Sequence, residues 1–270
     1  MNICAIVIPI YKEQIDKYEE LSFRQCMKIL HRYQIFLVTH EHLNLSVYEN
    51  MADEYHIQLK KVYFADTYFS GIDGYNKLLK SKQFYSAFDS FQCMLIYQLD
   101  AFVFRDELEY WCHQGYDYIG APWVANLKGE LLDKELWRVG NGGFSLRKVS
   151  YFLNVLSWKG PLLTYHNYKK IWHLPYVLGW KNNIRFFSDL DMNEDVFFTV
   201  LMNDSYFRPQ LPSPQEAALF SFERYPSYLF KECNNLLPFG CHAFLKYEFE
   251  QFWEPIIEEN ATIIHNYQFR

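Results

Sequence analysis

LIYQLDAFVF, residues 95–104, sets one carboxylate, Asp100, in a nearly apolar run. Burying a carboxylate is costly unless it is paired, hydrogen-bonded or bound to a ligand. A strand end at the mouth of a site is a cheaper place for it. The flanking chain supports a strand. ICAIVIPI, residues 3–10, reads as a buried strand, and Pro9 suits its end because proline cannot donate a sheet hydrogen bond. YQIFLVTH at 33–40 and KKVYFADTYF at 60–69 supply two more β-like runs. Mixed apolar and polar stretches at 15–30 and within 71–88 suit helices between them. This alternation predicts an α/β fold with a mostly parallel central sheet flanked by helices. Its strands are expected at 3–10, 33–38, 61–65 and 94–100.

Composition narrows the class further. The chain has 270 residues, of which 50% are hydrophobic and 20% aromatic, enough to bury a large core and exclude global disorder. A single domain over 1–270 is expected. The net charge of -6 gives no support for a nucleic-acid partner. The six cysteines form no CxxC pair, so reduced thiols are expected. The apolar start lacks a basic leader, and no run reaches the roughly 18 residues of a membrane span. The expected setting is cytoplasmic, with peripheral contact at the inner membrane face left open.

Three later stretches carry candidate chemistry. VGNGGFSLRK, 139–148, groups Gly140, Gly142 and Gly143 around Asn141. Such glycines permit unusual backbone angles and close ligand approach. The spacing is not that of a dinucleotide fingerprint, and a plain tight turn is the alternative. NEDVFF holds Glu194 and Asp195 at a helix start, where acids are favoured anyway. Adjacent helical residues point different ways, so their roles should differ. One can serve as a general base. FGCHAF offers His242, whose imidazole can bind a metal or contact a phosphate. Asp100 itself can hold a cation or accept from a ribose, or else pair with Lys77, Arg105 or Arg147. NLKGELLDKELWRV, 126–139, reads as a loop or small excursion, and SYFLNVLSWKG, 150–160, as a helix.

In order, CAIVIPIY, GYNKLL, LIYQLDAFVF, YDYIGAPW, GNGGFSLRK and NEDVFF resemble a largely bacterial family of GT-A-type glycosyltransferases, over about residues 2 to 245. The resemblance implies a nucleotide-sugar-binding half at 1–105 and an acceptor and catalytic half at 106–250, with the donor, a uridine-diphosphate sugar favoured, held by Pro9, Ile10, Tyr11 and Asp100. It implies Asp195 as base, with Glu194 orienting an acceptor hydroxyl or supporting the loop, in an inverting transfer. Gly142 and Gly143 would line the sugar site. A divalent cation, Mn2+ or Mg2+, would sit at Asp100 and His242, or Arg147 and Lys148 would neutralise the diphosphate instead. The acceptor implied is a glycan or lipid-linked glycan of polysaccharide biosynthesis. The second acid of the family's Asp-x-Asp motif falls on Phe102, which cannot ligate a metal. That departure sustains an alternative, a catalytically inactive carbohydrate- or nucleotide-binding protein. A glycosidase could also use paired carboxylates, but the Ile/Val-rich N-terminal half argues against one.

Overall fold

The computed structural model describes residues 2–126, 134–164, 167 and 182–267. The chain opens with β1 (Asn2–Pro9), α1 (Lys17–Leu30), β2 (Gln34–Thr39), α2 (Ser46–Glu54) and β3 (Lys60–Tyr63). It continues with α3 (Ile72–Leu79), α4 (Lys82–Ser86), β4 (Phe91–Tyr97), β5 (Phe102–Val103) and α5 (Leu108–His113). Next come β6 (Tyr118–Ile119), β7 (Pro122–Asn126), β8 (Lys134–Val139), β9 (Phe144–Lys148) and α6 (Val149–Ser157).

The central sheet has six strands in the order β3-β2-β1-β4-β9-β6. Pairs β1–β2, β1–β4 and β2–β3 are parallel, and β9 runs antiparallel to both β4 and β6. The α/β architecture with a mostly parallel sheet is therefore as the sequence predicts. Alternation along β1 explains why both sheet faces are covered. Cys4, Ile6 and Ile8 enter one core, with Phe23 and Met27 of α1, Met51 of α2 and Trp111 of α5. Ala5 and Val7 enter the other, with Leu78 of α3, Phe84 of α4 and Phe152 of α6. α1 starts in a capping box: Asp16 accepts from the Glu19 backbone, and the Glu19 side chain accepts from the Asp16 N–H.

Two expectations need correction. Ile10 donates its backbone N–H to the Val38 carbonyl at 2.8 Å, so the parallel pairing extends through it. Its side chain then falls on the face of Ile6 and Ile8 and is buried in the core, not in a donor site. The stretch expected as a loop is in part a β-hairpin, with β7 and β8 antiparallel; its residues 127–133 lie outside the described set. Cys4, Cys26, Cys93, Cys112, Cys233 and Cys241 are free thiols. Among the described residues no helix is long and apolar enough to cross a membrane.

Candidate functional site

A second, small sheet builds the centre of the site. It joins β10 (Ser221–Phe222), β11 (Gly240–Cys241) and β5 in the order β10-β11-β5. β10 and β11 are parallel with Phe222 opposite Cys241, so Glu223 and His242 leave their strands side by side. β5 runs antiparallel with Phe102 opposite Cys241, which brings the preceding Asp100 to the same end. Three residues far apart in the chain thus converge. His242 Nδ1 lies 2.9 Å from Glu223 Oε2, and Nε2 lies 3.2 Å from Asp100 Oδ1 and 3.1 Å from Gln98 Oε1.

The charges follow from this arrangement. Burial opposes protonation of His242, but Asp100 and Glu223 outweigh it and push the imidazole up to about 10. Burial likewise works to raise Asp100, and the facing His242 overcomes it, so the carboxyl lies below its ordinary value. The group is an imidazolium held between carboxylates. None of Lys77, Arg105 or Arg147 is the partner of Asp100: Arg105 binds Glu107 and Arg147 binds Glu194. Phe102, at the position of the missing acid, is a buried strand residue packed on Phe104 and Phe244.

Asp100 opens on a cavity of about 500 Å³ whose lining includes Pro9, Tyr11, Ile72, Tyr75 and Gln98. The cavity lies past the carboxyl ends of the parallel strands β1 and β4, where open α/β sheets place ligands. Tyr11 and Ile72 of this lining are 62% and 77% exposed.

The acid pair stands behind the glycine turn. Arg147, 0% exposed, donates from Nη2 to Glu194 Oε1 at 2.7 Å, from Nη1 to the Tyr85 hydroxyl at 2.9 Å, and from Nε to Ser145. This corrects the assignment of Arg147 to a diphosphate: its guanidinium is consumed by Glu194 and its neighbours. Burial pushes Glu194 up to about 7 against the pull of Arg147, and Glu194 Oε2 has no hydrogen-bond partner among the described residues. Asp195 faces elsewhere, as neighbouring positions on a helix require. It is half-buried, and its two oxygens accept the backbone N–H groups of Asn141 at 2.9 Å and Val196 at 2.8 Å. Burial raises its pKa above the ordinary carboxylate value.

The glycines serve approach more than conformation. The left-handed residue of the turn is Asn141, at φ +60°. A Cβ at Gly142 would collide with Glu194 Oε1, and one at Gly143 with His242 Nε2. One turn therefore seats both clusters, and Gly143 is tied to Gln98 by a 2.9 Å hydrogen bond from the Gln98 N–H.

α3 locks the acid segment to the cavity. Tyr75 lines the cavity, while Asn76 Oδ1 accepts the Glu194 N–H at 2.9 Å. Lys80, just after α3, donates to the carbonyls of Leu190 and Met192, both at 2.9 Å. Sequence reading brought Asp100, His242, Glu194 and Asp195 forward, but not Glu223, Gln98, Asn76 or Lys80. Asn76 and Lys80 lie in or beside GYNKLL, a signal that was available; Glu223, in SFERYP, had none.

A divalent cation can be tested against this geometry. His242 has the support typical of a ligating imidazole, a carboxylate on the far nitrogen and a second one before the near nitrogen. The residues fit a two-ligand site, Asp100 and His242, once the Nε2 proton is lost. Among the described residues no group of three or more His, Cys, Asp or Glu side chains is arranged to hold a metal ion.

Comparison with solved structures finds A197 from STIV, 13% identical, covering 78% of this chain and 82% of that one at a TM-score of 0.35. It also finds the apo-form glycosyltransferase GlyE in Streptococcus pneumoniae TIGR4, 11% identical at a TM-score of 0.49. That match covers 100% of this chain but 63% of GlyE, so the chain spans under two thirds of GlyE's length. Core-mannan synthase A, CmsA, from Aspergillus fumigatus in its Mn/GDP form is 10% identical, covering 79% and 78% at a TM-score of 0.39. Likenesses this remote carry no weight for function, which rests on the residues above. No curated protein sequence matches the chain. Residues 58–242 match the family described as "Protein of unknown function (DUF5672)", a span of more than half the chain that includes Asp100, the glycine turn, the acid pair and His242, and the chain belongs to that family.

Proposed function

We propose that this protein is a GT-A-type glycosyltransferase that moves a sugar from a nucleotide-diphosphate donor to a hydroxyl of a glycan or lipid-linked glycan, with inversion. One observation carries the reading. A single glycine turn separates a half-buried carboxylate, Asp195, from a carboxylate–imidazolium cluster that opens on a cavity at the strand ends. An inverting transfer needs a base on the acceptor side and positive charge on the leaving-group side. Asp195 takes the acceptor proton as that oxygen bonds to the anomeric carbon. The bond from the anomeric carbon to the donor diphosphate breaks on the opposite face, and the diphosphate leaves with the electron pair. Its raised pKa brings Asp195 nearer neutrality, where a general base works best.

Glu194 has a supporting role in this reading. Its pairing with buried Arg147 fixes the segment that aims Asp195. Pro9, Tyr11 and Asp100 face the donor, and a uridine-diphosphate sugar is the favoured occupant. His242 is engaged on both nitrogens by Asp100 and Glu223, so its charge balances those carboxylates. A divalent cation held by Asp100 and His242 would supply the positive charge for the diphosphate when bound. Because that cation must displace the Nε2 proton, its affinity rises with pH and its uptake releases a proton.

Calorimetry with a panel of nucleotide sugars, with and without Mn2+, tests the donor. Saturable binding is expected; its absence under both conditions rejects the donor assignment. Asp195→Asn should cut turnover by about 10²–10⁴-fold while leaving donor binding intact. Turnover near the wild-type rate in that variant rejects Asp195 as base, and product of retained configuration rejects inversion. Donor binding with no transfer to any acceptor would instead support the binding-protein reading.

A further inference from the structure

The β7–β8 hairpin carries a feature that the proposed chemistry leaves unused. Trp123 pairs with Arg138 and Val124 with Leu136, so Trp137 is the extra residue of a β-bulge. Bulges re-aim one side chain and are common beside active sites. Here the extra residue sets the Trp137 ring against the Trp123 ring, with centroids 5.9 Å apart and planes tilted by 30°. The Arg138 guanidinium lies 5.1 Å from the centre of the Trp137 ring. Trp137 is still 56% exposed. Isolated exposed aromatics are ordinary, but one placed by a bulge and backed by a second indole is a built surface.

This surface is tied to the acid pair. The Trp123 indole N–H donates to Asn141 Oδ1 at 3.0 Å, and the Asn141 backbone N–H donates to Asp195 Oδ2 at 2.9 Å. A Cβ at Gly140 would strike the Trp123 ring, so the turn keeps that glycine to seat the indole. The path from exposed ring to candidate base runs through Trp123 and Asn141 alone.

The geometry points to the Trp123–Trp137 pair as a carbohydrate subsite that holds a pyranose ring of the acceptor beside Asp195. The apolar C–H face of a pyranose matches an indole face, and Arg138 offers donors to its hydroxyl rim. This inference rests on the transferase reading for the word acceptor, but glycan binding itself is independent of any donor.

The test uses the full chain. Wild type, Trp137→Ala and Trp137→Phe are titrated with tetrasaccharides of glucose, galactose and N-acetylglucosamine, read by tryptophan fluorescence and calorimetry. Parallel titrations use uridine and guanosine diphosphate, and vesicles of anionic phospholipid. At least one tetrasaccharide should bind wild type, and Trp137→Ala should weaken it about tenfold or more, as loss of an aromatic anchor does. Trp137→Phe should recover part of the loss, and diphosphate binding should be unchanged in both variants. Unaltered glycan binding in Trp137→Ala overturns the subsite, as does a wild type silent to every tetrasaccharide. Vesicle binding that depends on Trp137 without glycan binding overturns the carbohydrate assignment. Glycan binding lost in the variant alongside a wild type that ignores both diphosphates keeps the subsite and rejects the donor reading.

Discussion

Two carboxylate–cation clusters flank the Gly142–Gly143 turn, and they differ in access. Arg147 and Glu194 are sealed, with side chains 0% and 6% exposed. Asp100, His242 and Glu223 open on the cavity through Asp100, whose side chain is 43% exposed. The sealed pair has no room for a ligand, so its charge is spent on holding a segment in place. The open triad leaves a carboxylate edge facing the space where a ligand would lie. The same two charge types therefore make a strut in one place and a candidate binding surface a few residues away.

Breaking the strut should produce the largest effect. Arg147→Met leaves Glu194 buried without a partner, which typically costs about 3–5 kcal/mol. Arg147→Met combined with Glu194→Gln should cost less than the single change, because no charge is stranded. Urea unfolding of both variants measures the difference. Equal losses would mean that the pair contributes through packing alone.

Pushing on the open triad should cost less. In Gly143→Ala the new methyl meets the His242 ring, and overpacking of this kind costs about 1–3 kcal/mol. The ring must move away from Asp100, so its pKa should fall toward the ordinary value. An NMR titration of the imidazole reads this directly. An unmoved His242 titration would show that the turn does not set the triad's geometry.

How far the sequence foretold this comparison depends on the length of the elements. β1, β2, β3 and β4 are apolar runs alternating with helical stretches, and all appear close to the expected ranges. Ile10 was readable too, since strict alternation puts it on the face of Ile6 and Ile8. β10 and β11 are two residues each, too short to show any period. Nothing local therefore joins Glu223 to His242, and of the two only His242 is marked by the sequence. The hairpin was hidden for another reason: ELWRV mixes charge and aromatic residues, and its bulge breaks the alternation that marks a strand. Asp100 raised the right question from sequence, but its partner lies 142 positions away and only the fold supplies it.

pH should separate the two clusters by window. His242 has a raised pKa in the fold, so its contribution is complete below 6.5 and lost as pH rises from there through about 10. Glu194 is also raised, so its contribution is complete below 4.5 and lost as pH rises through about 7. Asp100 is lowered, so its contribution holds above 3.8 and is lost as pH falls through its folded value. Urea midpoints followed across pH should show the alkaline loss flattened in His242→Gln and the loss around neutrality flattened in Glu194→Gln. Swapped windows would mean that the protons sit on the other cluster.

The smallest expected effect concerns the link between the two regions. Asn76 sits on α3 one position from Tyr75, which lines the cavity, and its side chain accepts the Glu194 N–H. It also donates to Asn193 Oδ1 at 3.3 Å. It thus caps the acid segment from the cavity side, as an N-cap side chain would from within the chain. Asn76→Ala removes one good and one long hydrogen bond at a partly exposed position, which should cost about 1 kcal/mol. The more telling readout is Asp195. With the Glu194 N–H unpinned, the short helix Glu194–Val196 can shift, and both backbone contacts to Asp195 loosen with it. Turnover should fall by more than the stability loss explains while the strut survives, because Arg147 still holds Glu194. Full turnover in a variant destabilised by that amount would show that α3 braces the fold without positioning the candidate base.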